Sequence, residues 1–257
     1  MLVVISPAKT LDFETAYPNA KVTRPRMLNA TSELVEQLRQ YSSTDLQKLM
    51  GISSKLGDLN AERYQQWQLP FNKSNAKAAL FAFQGDVYVG LDAQQFDQDG
   101  LDFAQQHLRI LSGLYGLLRP LDLIQAYRLE MGTSLETGRG RTLYDFWADD
   151  ITKAINKDLK AIKSQTLVNL ASNEYFNSIS TEALKAEVIT PVFKDYKNGK
   201  YKILSFFAKK ARGAMSAYII NKHITDPTAL KKARVDGYQY SANDSDANKW
   251  VFLRKNA

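Results

Sequence analysis

The sequence predicts a single α/β domain, residues 1–257, with a central mixed sheet flanked by helices, and three observations predict it. Compact apolar runs at residues 2–5 and 166–171 read as strands, and they alternate with stretches whose apolar residues recur at helical spacing. Asn198-Gly199 lies between two β-rich runs, residues 187–196 and 201–207, and marks a hairpin, so one strand pair is antiparallel. No Pro/Gly/Ser-rich linker divides the chain, and 257 residues lie within the ~250–300 that one core can serve.

The elements follow in order. Leu2–Ile5 is a short strand, followed at once by Ser6-Pro7. Thr31 or Ser32 is placed to cap a helix through residue 41, with Leu34, Val35 and Leu38 as its inner stripe. Thr44 and Gln47 have capping-box spacing for a shorter helix to Met50, which Gly51-Ile-Ser53 breaks before a third helix reaches Trp67. Ser74 either caps a helix or precedes the run at residues 79–83. Residues 102–108 read as a helix, and Ser112–Pro120 as irregular backbone because two glycines and a proline fall there. Apolar residues at 143, 147, 151, 155, 159 and 162 predict one amphipathic helix over residues 143–162. After the 187–207 hairpin come a helix over 208–224 and a short helix opened by Asp226-Pro227. The polar tract 241–248 is a loop between two strand-like runs.

Composition removes whole classes of chemistry. Without cysteine there is no disulfide, thiol nucleophile or Cys-ligated metal, and two histidines leave no multi-His metal site and few His-based triads. No segment approaches the ~18 apolar residues that cross a bilayer, and Met1–Ile5 lacks the basic region of a signal peptide, so a cytoplasmic location is expected. Nothing in the sequence calls for a cofactor or a metal.

Charge is concentrated in one stretch. Between Lys194 and Arg234 stand eleven basic residues against Asp195 and Asp226, an excess larger than the net +7 of the whole chain. Such asymmetry suits a polyanionic partner, although a solvated lysine-rich face has the same composition. Its sharpest part is Lys209-Lys210-Ala-Arg212-Gly213, placed to open a helix, so that first-turn amides and three cations could meet one anion.

Ser6-Pro-Ala-Lys9 fits the S-x-x-K pattern of acyl enzymes, but so does Ser74-Asn-Ala-Lys77, and neither S-D-N nor K-T-G accompanies them. Lys9 is either an anion ligand just past a buried strand, a common ligand position in α/β sheets, or an ordinary surface lysine. No Walker A, G-x-G-x-x-G or H-E-x-x-H motif occurs. Gly113-Leu-Tyr-Gly116 with Arg119 could offer amides beside a guanidinium, or simply a tight packing loop. Glu130 and Glu174 are isolated acids that could pair with a nearby Arg or Lys.

Residues 44–67 resemble the helix-hairpin-helix element of DNA-binding proteins, whose hairpin reads roughly Leu-Pro-Gly-Ile-Gly. Gly51-Ile52 match it, Ile52 being the hydrophobic pin; Met50 stands for the proline and Ser53 for the second glycine. In such hairpins backbone amides and a helix dipole hold a phosphate without reading bases, and Lys48 and Lys55 flank the turn.

The whole chain resembles the YaaA family of bacterial peroxide-stress proteins. The resemblance rests on Ile5-Ser-Pro-Ala-Lys-Thr-Leu11, Gly85-Asp-Val-Tyr88, Leu108-Arg-Ile-Leu-Ser-Gly-Leu-Tyr-Gly-Leu-Leu-Arg-Pro-Leu-Asp122, Tyr127-Arg-Leu-Glu-Met-Gly132, Asn169-Leu-Ala-Ser-Asn-Glu-Tyr-Phe176 and Phe207-Ala-Lys-Lys-Ala-Arg-Gly213. It implies a cytoplasmic protein that helps cells survive hydrogen peroxide and limits unincorporated iron and oxidative DNA damage. It also implies DNA binding through a basic cleft and a helix-hairpin-helix-like element, in a fold outside the common superfolds.

The expected function is therefore nucleic-acid binding, mostly to backbone phosphates, by Lys9, Lys48, Gly51, Ile52, Ser53, Lys55, Arg119, Lys209, Lys210 and Arg212. The alternative is an enzyme acting on a phosphorylated or nucleic-acid substrate in a basic cleft; the sequence favours a binding protein. A third reading, iron binding by Asp92, Asp97, Asp99 and Asp102, competes with an ordinary acidic surface loop.

Overall fold

The computed structural model describes residues 1–18 and 20–255. Among these, nine strands form one mixed sheet. In chain order they are β1 (Leu2–Ile5), β2 (Leu108–Ser112), β3 (Gly116–Leu118), β4 (Thr166–Leu170), β5 (Glu187–Lys197), β6 (Lys200–Lys202), β7 (Arg234–Val235), β8 (Tyr238–Ser241) and β9 (Lys249–Arg254). The strands run β7-β8-β9-β5-β4-β1-β2-β3 across the sheet, with β6 on β5. The central five, β9-β5-β4-β1-β2, are parallel, and antiparallel strands extend both sides. β1 is paired along both edges, Val3 lying opposite Leu108 and Val168, and its successive residues are all buried, so both faces of the strand are covered; this is why it reads as an unbroken apolar run.

The main helices are α1 (Leu28–Leu38), α2 (Ser43–Met50), α3 (Ser54–Gln66), α4 (Asp86–Leu91), α5 (Gln98–His107), α6 (Leu143–Trp147), α7 (Asp150–Ala161), α8 (Asn173–Phe176) and α9 (Ser205–Asn221). α1 starts earlier than predicted, since the Thr31 and Ser32 hydroxyls donate back to the Met27 and Leu28 carbonyls inside the helix instead of capping it. The capping box of α2 is Ser42 with Asp45, not Thr44 with Gln47, because the carboxylate both accepts from the Ser42 amide and leaves Ser42 to bond the Asp45 amide. The single helix expected over 143–162 is two: Ala148, at φ 33°, breaks it where the buried Trp147 donates to the Gly113 carbonyl. Both pieces face one core, so the apolar spacing runs through the break.

Asn198 and Gly199 make the expected turn, with φ 54° and 78°. The returning strand, β6, is only three residues long, and α9 begins at Ser205 rather than 208, as the helical stripe of Ala208, Ala211, Met215 and Ile219 propagates upstream. α9 ends at Asn221, where His223 turns to φ 48° and stacks on Phe103. It presses on α4 closely enough that a Cβ on Gly213 would lie 1.8 Å from the Val87 carbonyl oxygen, and one on Gly90 2.0 Å from that of Lys210. Only glycine permits that approach.

A continuous apolar core runs from Met1 to Phe252. Charges inside it are paired: Asp195 accepts from Arg254 and Tyr238, and Asp158 accepts from Arg26 and Arg109. Among the described residues no helix is long and apolar enough to cross a membrane.

Candidate functional site

α2 and α3 form a close helical hairpin. Gly57 has no room for a side chain against Gln47 and the Ser43 carbonyl, and the Ser43 hydroxyl donates to Asp58 across the pair at 2.5 Å. Gly51 ends α2 in the left-handed region, φ 61°, which lets the Ile52 amide close on the Gln47 carbonyl at 3.1 Å. Ser53 then extends the chain, φ −67° and ψ 160°, and its side chain makes no capping bond. The first backbone bond of α3 is Gly57 to Ser53, so the amides of Ser54, Lys55 and Leu56 take no acceptor among the described residues. Ser53, Ser54 and Lys55 are exposed, as is Lys48, and neither lysine forms a salt bridge among the described residues. The turn thus presents open amides, the positive end of a 13-residue helix and two ammonium groups to solvent.

The other predicted cations do not share one task. Lys209 to Arg212 lie in the second turn of α9, not at its start, and they diverge. Lys209 sits 3.8 Å from Asp86 and Lys210 3.8 Å from Asp236, while Arg212 falls on the stripe that faces the sheet, between Ala208 and Met215. Arg119 is engaged inside the fold: it grips the fully buried Asp122 carboxylate at 2.8 Å and donates to the Arg24 carbonyl. The Gly113–Gly116 loop is buried, with the Gly113 Cα against the Leu129 carbonyl, and packs rather than binding an anion.

Lys9 stands just past β1. Its ammonium meets Glu130 Oε1 at 3.0 Å, and Arg128 reaches the same oxygen at 3.0 Å. Glu174 accepts from the Gly132 amide at 3.0 Å, on the same loop. Beneath them the Ser172 amide donates to Ser6 Oγ at 2.8 Å, the two hydroxyls lie 3.3 Å apart, and Tyr88 donates to the Ser6 carbonyl. Tyr88, Tyr127 and Tyr175 surround this point, and burial pushes all three phenols above their ordinary range, which keeps them neutral donors. The sequence marked Lys9, Glu130 and Glu174 singly, but Ser172, Arg128 and Tyr88 carried no signal beyond lying in the segments of the family resemblance.

The acidic residues considered for iron are dispersed. Asp97 caps α5, Asp102 accepts from Gln98 and Asp92 closes α4; among the described residues no three His, Cys, Asp or Glu side chains gather as a metal would need.

A family model described as "Peroxide stress protein YaaA" matches residues 1–244. A UPF0246 protein from Teredinibacter turnerae is 59% identical over 255 residues, covering 99% of this chain and 100% of the relative. One from Saccharophagus degradans is 58% identical with the same coverage, and one from Alcanivorax borkumensis is 54% identical over 254 residues, 99% and 98% of the two chains. These full-length matches lead to one conclusion: the chain belongs to the YaaA family of peroxide stress proteins.

Proposed function

We propose that this peroxide-stress protein acts in the cytoplasm by binding nucleic acid through backbone phosphates, with the α2–α3 turn as a helix-hairpin-helix-like contact. The observation that carries the reading is the set of unpartnered amides at Ser54, Lys55 and Leu56, open to solvent between Lys48 and Lys55. A phosphate seated there gains three aligned donors and two cations, and none of these groups reads a base. The lysines of the Lys194–Arg234 stretch, among them Lys209 and Lys210, add a positive field that steers a polyanion. Under peroxide, coating DNA in this way would protect it, and the limiting of free iron implied by the family resemblance belongs to the same response.

The test is a salt titration of duplex binding. Each phosphate contact contributes about 0.9 to the slope of log K against log salt, so Lys48→Ala with Lys55→Ala should flatten it by about 1.8. Ser53→Trp should weaken binding with little change of slope, since it blocks dipoles rather than removing charge. An unchanged slope in the double variant, or no binding by the wild type at low salt, overturns the reading.

A further inference from the structure

The chain leaves β1 toward β2 on one side and leaves β4 toward β5 on the other, so the carboxyl ends of these adjacent parallel strands form a topological switch point, the place where open α/β sheets form a ligand crevice. Ser6 and Ser172 close its floor through the 2.8 Å bond between the Ser172 amide and Ser6 Oγ. On its rim the fold leaves polar groups unanswered. Glu130 Oε2 and Arg128 Nε are buried without a hydrogen-bond partner. Arg212 makes no side-chain hydrogen bond or salt bridge among the described residues, and burial alone pulls its pKa down.

Two observations bring Arg212 to this crevice. α9 runs antiparallel to β1: the Met1 amino group donates to the Thr225 carbonyl just beyond the helix end, while toward the other end of the strand α4 bridges Ser6 and Gly213. Five residues of strand and eleven of helix each rise by about 16 Å, so the turn holding Arg212 comes level with Ser6. Along α4, Tyr88 touches the Ser6 carbonyl while its neighbour Val87 touches Gly213, next to Arg212. Buried groups of opposite kind left unpaired in one place ask for a ligand carrying the complements of both.

We propose that the crevice between the ends of β1 and β4 binds a phosphate ester that also carries a hydrogen-bond donor, as a nucleotide does, with Arg212 and Lys9 on the phosphate and Glu130 on the donor. Lys9 is suited to this: its side chain is 66% exposed and can swing from Glu130 to an incoming dianion. The site is separate from the α2–α3 turn and does not depend on the duplex-binding reading. Its ligand has two possible sources, a free nucleotide or the phosphorylated end of a strand.

Calorimetric titration of the full chain with 5′-dAMP and with inorganic phosphate tests it. Saturable dAMP binding is expected, weakened about tenfold or more by Arg212→Gln and by Lys9→Ala. Lys9→Ala is a surface change, so it keeps the test valid should Arg212→Gln unfold. Glu130→Gln should lessen the preference for dAMP over phosphate. A 5′-phosphorylated oligonucleotide that competes with dAMP, where the 5′-hydroxyl form does not, identifies a strand end as the source. Failure of the phosphorylated strand to compete identifies the free nucleotide, and either result supports the site. No heat with dAMP or phosphate at millimolar concentration, or equal dAMP binding by wild type and Lys9→Ala, overturns it.

Discussion

Arg109 on β2 donates from Nε to Asp158 Oδ2 on α7 at 2.7 Å, and Arg26 holds the same carboxylate through both of its oxygens, at 2.7 and 2.8 Å. The Arg109 and Asp158 side chains are only 5% and 9% exposed, so removing Asp158 leaves the buried Arg109 without a counter-charge. Asp158→Ala should cost about 3–5 kcal/mol, read as a lower urea midpoint with an unchanged m-value. Burial on its own would raise the Asp158 pKa, but the bonds from Arg26 and Arg109 outweigh it and hold the group below its ordinary 3.8. A depressed folded pKa gives stability that is present above the unfolded value and is lost as pH falls through the folded one. The gap between wild type and variant should therefore be full at pH 7 and shrink below about pH 3.8. A gap that stays constant down to pH 2 would contradict the pairing.

Gly213→Ala should destabilise by about 1–3 kcal/mol or more, because the new methyl meets a backbone oxygen at 1.8 Å in the α4–α9 contact. Gly51→Ala meets nothing within 4 Å and should cost only the ~1–2 kcal/mol of a left-handed non-glycine residue. Equal denaturation midpoints for Gly213→Ala and wild type would show that the helices do not pack this way.

Arg119→Ala should lower stability by about 2–3 kcal/mol, since it strips a charged partner from the fully buried Asp122. The salt dependence of the proposed nucleic-acid binding should not change, as that guanidinium is already spent inside the fold. A flatter salt slope for this variant would place Arg119 on a phosphate instead.

Thermal unfolding should be one cooperative transition, given a core that is continuous from Met1 to Phe252. Calorimetry resolving two separated peaks, or proteolysis releasing two stable halves, would divide the chain.

The purified protein should not consume peroxide catalytically. It has no cysteine, and its five methionines are oxidised stoichiometrically rather than turned over. Sustained peroxide loss at substoichiometric protein, with no metal added, would reverse this expectation.

Local patterns determined much of this protein. β1 and β4 are legible because strands buried on both faces need compact, mostly apolar runs. The Asn198-Gly199 turn and the break at Gly51 are legible because few residues accept positive φ. Composition alone excludes thiol chemistry, since the chain has no cysteine. Only the tertiary structure decided that β5 pairs with both β4 and β9, that one amphipathic stretch is two helices, and that Arg119 is spent on Asp122. It also brought Lys9 to Glu130 and Ser6 to Ser172, partners 121 and 166 positions apart. The physical reason is that periodicity records which side of an element is buried, whereas charge pairing depends on strand order and crossover direction, which are set by packing across the whole chain.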